Sequence, residues 1–83
     1  MTQWSKAQEF YQHFLDARDL RCPLPVLKLR KVLVGIKSGE RLLMIADDPK
    51  TLHDVPLFIS ESNHSLCAAY TQQSPYEFYI EKA

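Results

Sequence analysis

Scarcity is the first thing to read in these 83 residues. Two cysteines, Cys22 and Cys67, are too few for a disulfide scaffold. They lie far apart and make no Cys-x-x-Cys redox pair. Two glycines, Gly35 and Gly39, leave nothing from which to build a Gly-rich phosphate loop. No apolar run is long enough to span a bilayer. The first residues, Met1-Thr2-Gln3-Trp4-Ser5-Lys6, are too polar for a signal peptide, which directs expectation to the cytoplasm. Excess charge is missing as well. Ten basic and ten acidic side chains cancel, which weakens the case for direct RNA binding. His13, His53 and His64 have no metal-ligand spacing and no Cys/His cluster beside them, so neither a metal nor an organic cofactor is expected.

What remains is an ordinary globular composition, 46% hydrophobic and 24% charged. A chain of this length makes one small domain with a modest core. Residues 1–12 read as a lead-in, a short helix or a frayed end, and residues 13–83 as the domain itself. There is no internal repeat, linker or low-complexity stretch.

His13 to Ala17 reads as a short strand followed by a turn near Asp19. From Pro25 the apolar residues Val26, Leu29, Leu33 and Ile36 recur at helical spacing, predicting a helix that stops near Ser38-Gly39 with Lys37 in its last turn. Arg41 to Ala46 is a compact apolar run, a buried strand. Asp47-Asp48-Pro49 then supplies a carboxylate able to cap a second helix, with Leu52, Val55, Phe58 and Ile59 on its inner face and Pro56 inside it. Residues 66–71 and 76–81 read as two strands joined at Gln72-Gln73-Ser74-Pro75. In the last strand Tyr76, Phe78 and Ile80 share a buried face, with Glu77, Tyr79 and Glu81 on a wetter one. The order β-α-β-α-β-β predicts an α/β two-layer sandwich, a four-stranded mixed sheet with two helices on one face.

Within that order Cys22 occupies the first strand-to-helix connection, in Cys22-Pro23-Leu24-Pro25. A thiol at a helix N-terminus faces backbone N–H groups and the positive end of the helix dipole, which favour the reactive thiolate. Pro23 and Pro25 preset φ and bring no N–H, and each pushes its predecessor away from helical geometry. Seven of the ten basic residues, Arg18, Arg21, Lys28, Arg30, Lys31, Lys37 and Arg41, fall close together in sequence around this thiol. A basic surface there would favour thiolate and attract acidic partners. Charge alone favours the plainer reading, a solvated lysine-rich helix face. Arg21, next to the thiol, is either a thiolate-favouring cation or a rim charge. Cys67, in mid-strand, is expected to pack as a small hydrophobe. The aromatics Tyr70, Tyr76, Phe78 and Tyr79 are expected in the core rather than on a base-stacking face.

Leu15-Asp16-Ala17, Leu20-Arg21-Cys22-Pro23-Leu24-Pro25, Gly39-Glu40 and Ala46-Asp47-Asp48-Pro49, in this order and spacing, resemble the TusA/SirA family of small sulfur carriers. The resemblance runs from about His13 to the C-terminus. It implies that Cys22 accepts sulfane sulfur from a cysteine desulfurase, holds it as a persulfide and hands it to the next protein of a relay. In TusA proper the relay ends in thiolation of the wobble uridine of certain tRNAs, so tRNA is only an indirect partner. Related members serve molybdenum-cofactor maturation and sulfur oxidation. The pyridoxal phosphate belongs to the desulfurase. Arg30 and Asp48 also match, as partner-docking residues; read without the family they are a solvated charge and a helix cap. Position 24 is an acid in some members and Leu24 here, which bears on partner choice. Two other readings stand beside the tRNA branch: a carrier in another sulfur or selenium pathway, and a non-catalytic protein- or RNA-binding regulatory domain.

Overall fold

The computed structural model describes residues 11–83; residues 1–10, most of the expected lead-in, lie outside the described residues. The chain runs β1 (His13–Ala17), α1 (Leu24–Val34), β2 (Arg41–Ala46), α2 (Thr51–Ser60), β3 (Ser65–Tyr70) and β4 (Tyr76–Glu81). The sheet order is β1-β2-β4-β3. β1 is parallel to β2, from His13 opposite Leu42 to Ala17 opposite Ala46. β4 is antiparallel to both β2 and β3. The expected two-layer β-α-β-α-β-β sandwich is therefore the architecture found.

Alternation along the strands makes the core. Leu15, Ala17, Leu42, Met44, Ala46, Phe78 and Ile80 meet Leu29, Leu33 and Ile36 from α1 and the segment after it, and Val55 and Ile59 from α2. Removing this apolar surface from water is the main favourable term in holding the two layers together.

The second sheet face is drier than the alternation implied. Tyr79, expected on the wetter side, is only 2% exposed. The rings of Tyr11 and Tyr70 meet it edge-on, each at 5.9 Å between centroids. The four aromatics are accordingly split: Phe78 is in the core with Tyr76 packed against it, while Tyr70 and Tyr79 lie together on the other face. Cys67 also departs from expectation, being exposed. It lies between half-buried Leu66 and Ala68, at the point where the register of β3 against β4 shifts.

Both helices begin or end differently from their apolar period. α1 starts at Leu24, one residue early, with the Leu24 N–H on Arg21 O at 2.8 Å. It ends at Val34 rather than near Ser38, so Lys31 and not Lys37 is the cation of its last turn. There the Gly35 N–H turns to Val32 O and the Ile36 N–H to Leu33 O, the tighter spacing of a closing turn. Ile36 keeps the stripe's spacing although it lies beyond the helix, which is why the period overran. Gly39, at φ 86°, takes the left-handed conformation that returns the chain to β2. In α2 Leu52 is exposed, and Thr51 is buried in its place with its hydroxyl donating to Asp48 O at 2.7 Å.

Candidate functional site

Parallel pairing brings the C-terminal ends of β1 and β2 to one edge of the sheet, where sites in such sheets form. The loops leaving these strands, 18–23 and 47–50, lie side by side and are tied by two adjacent carboxylates. Asp47 Oδ1 accepts the N–H of Asp19 at 3.0 Å, where the backbone is left-handed at φ 68°. Asp48 Oδ2 accepts the N–H of Cys22 at 2.7 Å, and its Oδ1 accepts that of Lys50 at 3.1 Å. The Asp48 backbone carbonyl takes the Thr51 N–H at 2.9 Å. One buried residue thus fastens the backbone of the thiol to the first turn of α2. The donors on its carboxylate, Lys50 N–H and then Cys22 N–H, hold the Asp48 carboxyl below the usual range.

Cys22 is exposed, follows Arg21 and precedes a cis peptide to Pro23. Its thiol donates to Asp54 Oδ2 at 3.1 Å, from the first turn of α2. This corrects the expectation of a thiolate favoured by the helix end. The Asp54 hydrogen bond, then desolvation, then the charges of Asp54 and Asp48 push the Cys22 thiol above its ordinary value, with Lys50 opposing them. The physical reason lies in the donors. Pro23 and Pro25 bring no N–H, that of Cys22 goes to Asp48, and that of Leu24 goes to Arg21 O. Across residues 22–25 the donors that would stabilise an anion are therefore absent or already used, and a carboxylate stands against the sulfur.

The other anticipated residues separate by place. Arg21 is a rim charge: its side chain is 72% exposed and turns to Asp47, with Nη1 at 3.6 Å from Oδ1. Pro25 is buried under α1 and packs the helix start. Arg30 lies with its guanidinium 5.5 Å from the Phe58 ring centre, a cation–π contact between the helices. It lines a groove of about 260 Å³ with Pro23, Val26, Asp54, Leu57, Phe58 and Glu61. Arg30 therefore faces the cleft that runs up to the thiol, while Asp48 holds the thiol's own backbone. Asp54 and Lys50, the acid and the cation acting on Cys22, were not singled out by sequence reasoning. The signal available was the parallel β1/β2 pair, which sets the start of α2 against the loop of Cys22. Among the described residues no group of three or more His, Cys, Asp or Glu is placed to hold a metal ion.

The family model for Sulfurtransferase TusA matches residues 13–82. The chain belongs to the TusA family. Its matched region includes both tied loops, the thiol between them and the whole sheet. Among solved structures it is similar to the crystal structure of a SirA-like protein from Desulfitobacterium hafniense, with a TM-score of 0.70 at 15% identity. That match covers 87% of this chain and 97% of the other, a likeness of fold across nearly the whole domain. TusA membership carries with it a role in sulfur transfer.

Proposed function

We propose that this TusA-family chain is a cytoplasmic persulfide carrier. Cys22 takes sulfane sulfur from a cysteine desulfurase and passes it to an acceptor protein, with tRNA wobble-uridine 2-thiolation as the end use. The observation that carries this reading is an exposed thiol on a tied backbone, at an open sheet edge. Cys67 is the other cysteine, and it lies on β3 two residues past Ser65, which pairs with Glu81 opposite the start of β2. Cys22 lies beyond the strand ends at the other edge, so a loaded Cys22 has no neighbouring thiol to close a disulfide and discharge it.

Loading requires the thiolate of Cys22 to attack the outer sulfur of the donor's persulfide. A bond forms between Cys22 Sγ and that sulfur, the donor's S–S bond breaks, and the donor cysteine leaves as a thiolate that recovers the proton Cys22 gave up. Partner contact is assigned to the surface around the thiol. Leu24 and Leu27 are 51% and 53% exposed on α1 beside Lys28 and Lys31, an apolar and basic face suited to an acidic partner. Arg30 offers its guanidinium from the groove.

The test is incubation with a cysteine desulfurase, cysteine and pyridoxal phosphate. Intact-mass analysis should show one added sulfur atom on the wild type and none on Cys22→Ser. An unloaded wild type would sink the carrier reading in favour of a regulatory domain. Nucleoside analysis of tRNA from cells lacking the chain tests the end use: 2-thiouridine should fall, and an unchanged level would move the carrier to another sulfur or selenium pathway.

A further inference from the structure

The carboxylate of Asp54 stands where an anion-stabilising donor was expected. It accepts the Cys22 thiol at 3.1 Å and comes from a different element, α2, so it is held against the sulfur by the fold and not by the loop of Cys22 itself. This contact is available only to a protonated sulfur. A persulfide is a stronger acid than its parent thiol, so the loaded carrier is an anion at neutral pH. The two states of Cys22 thus meet Asp54 with opposite sign: the empty thiol is a hydrogen-bond donor, and the persulfide is a like charge.

Resting on the carrier reading above, we infer that Asp54 sets the direction of transfer, holding empty Cys22 as a thiol and destabilising its persulfide anion so that sulfur is released more readily than from an ordinary cysteine. In the release step an acceptor thiolate attacks the outer sulfur. The acceptor's S–S bond forms, the bond from Cys22 Sγ to that sulfur breaks, and Cys22 leaves as a thiolate. It takes up the proton that the acceptor thiol gave up and becomes the donor to Asp54. Net, Cys22 persulfide anion and acceptor thiol become Cys22 thiol and acceptor persulfide anion, with no oxidant or reductant required.

The surroundings fit this assignment. Asp48 adds a second negative charge from the β2–α2 loop, and Lys50 is the cation that opposes both. Arg21 is drawn to Asp47, and Arg30 lies over Phe58 in the adjoining groove, where Glu61 also stands. The elevated thiol value at Cys22 has the Asp54 hydrogen bond as its largest cause. Asp54 touches the reacting atom and so belongs to the catalytic apparatus, although it neither carries nor attacks sulfur.

The experiment uses the full chain with Cys67→Ser, so that only Cys22 reports. The pH dependence of Cys22 alkylation by iodoacetamide is measured with Asp54 intact and with Asp54→Asn. Both proteins are then loaded chemically with inorganic polysulfide and equilibrated with glutathione, and the persulfide fraction is read by intact mass. With Asp54→Asn the alkylation midpoint should fall, and the equilibrium constant for keeping sulfur on Cys22 should rise about three- to tenfold. Asp54→Ser should act in the same direction and serves if the asparagine variant folds poorly. Unchanged midpoints and sulfur distributions would overturn the inference. A lowered midpoint with an unchanged distribution would overturn it too, because direction would then owe nothing to Asp54. Chemical loading needs no desulfurase, so a wild type that fails desulfurase loading counts against the carrier reading alone.

Discussion

Asp48 does at the level of one side chain what a loop this short needs from outside itself. Its two oxygens take the N–H groups of Cys22 and Lys50, and it is buried, so water is poorly placed to replace it. Asp48→Ala leaves both donors without their partner and frees the segment carrying the thiol. The expected outcome is a lower urea midpoint at unchanged m-value, together with slower sulfur loading of Cys22 in the desulfurase assay. Asp48→Asn keeps an acceptor oxygen for one of the two donors and should fall between. A wild-type midpoint in Asp48→Ala would show that the tie contributes nothing. The sequence announced Cys22 because prolines and a strand-to-helix switch are local marks. It offered Asp48 as a cap, but Lys50 holds the N-cap position of α2 and no side chain caps that helix; Asp48 instead takes the Lys50 N–H in the turn before it, and its second bond crosses to another loop. Asp54 was silent for the same reason: its partner is 32 residues away in the chain, and an acid in a first helical turn already has a sufficient local explanation in the helix dipole.

At the scale of elements, α1 is unevenly finished. No side chain caps its N-terminus and its first turn holds no acid. Its C-terminal end is served instead from the far end of the chain, where Lys82 Nζ donates to Leu33 O at 2.6 Å and Ile36 O at 2.9 Å. A cation at that end meets both the free carbonyls and the negative pole of the helix. Lys82→Met keeps much of the stem and loses both bonds, so it should cost about 1–2 kcal/mol by urea denaturation. Amide exchange should quicken around Gly35–Lys37, and unchanged exchange there would rule out this cap. The cap also explains why the helix end was illegible. Apolar spacing marks which face is buried and continues through Ile36, whereas termination depends on Gly35 and on a lysine contributed after β4. Strand positions and element order were legible because alternation and turn residues are local. The bulge at Cys67 and the burial of Tyr79 were not, since both depend on what the neighbouring strand and rings present.

For the molecule as a whole, the ionisable groups divide into those that lose stability in acid and those that lose it in base. His64 belongs to the first set. Its Nδ1 accepts the Ala83 N–H at 3.0 Å, and burial, then the charge of Lys82, push the imidazole below its ordinary value. A value lower in the fold than in the unfolded chain gives stability that is present above about pH 6.5 and is lost as pH falls through the folded value. The carboxylates follow at lower pH with the same sign. Glu40 is held down by the His13 ring and then the Lys37 N–H, and Asp48 by its two backbone donors. Asp16 is lowered to about 2 by the Arg18 guanidinium and backbone N–H. Their contribution is intact above about pH 4.5 and disappears as pH falls through the folded values. Cys22 and Cys67 have the opposite sign. Both are raised, so their contribution is present below the ordinary thiol value and is lost as pH rises through the folded one. Stability should therefore plateau around neutrality, decline first gently below about pH 6.5 and then steeply below about pH 4.5. His64→Gln should remove the gentle slope that begins below about pH 6.5 and leave the steep acid limb in place, read as urea midpoints across a pH series. A gentle slope that survives in His64→Gln would assign it to some group other than this histidine.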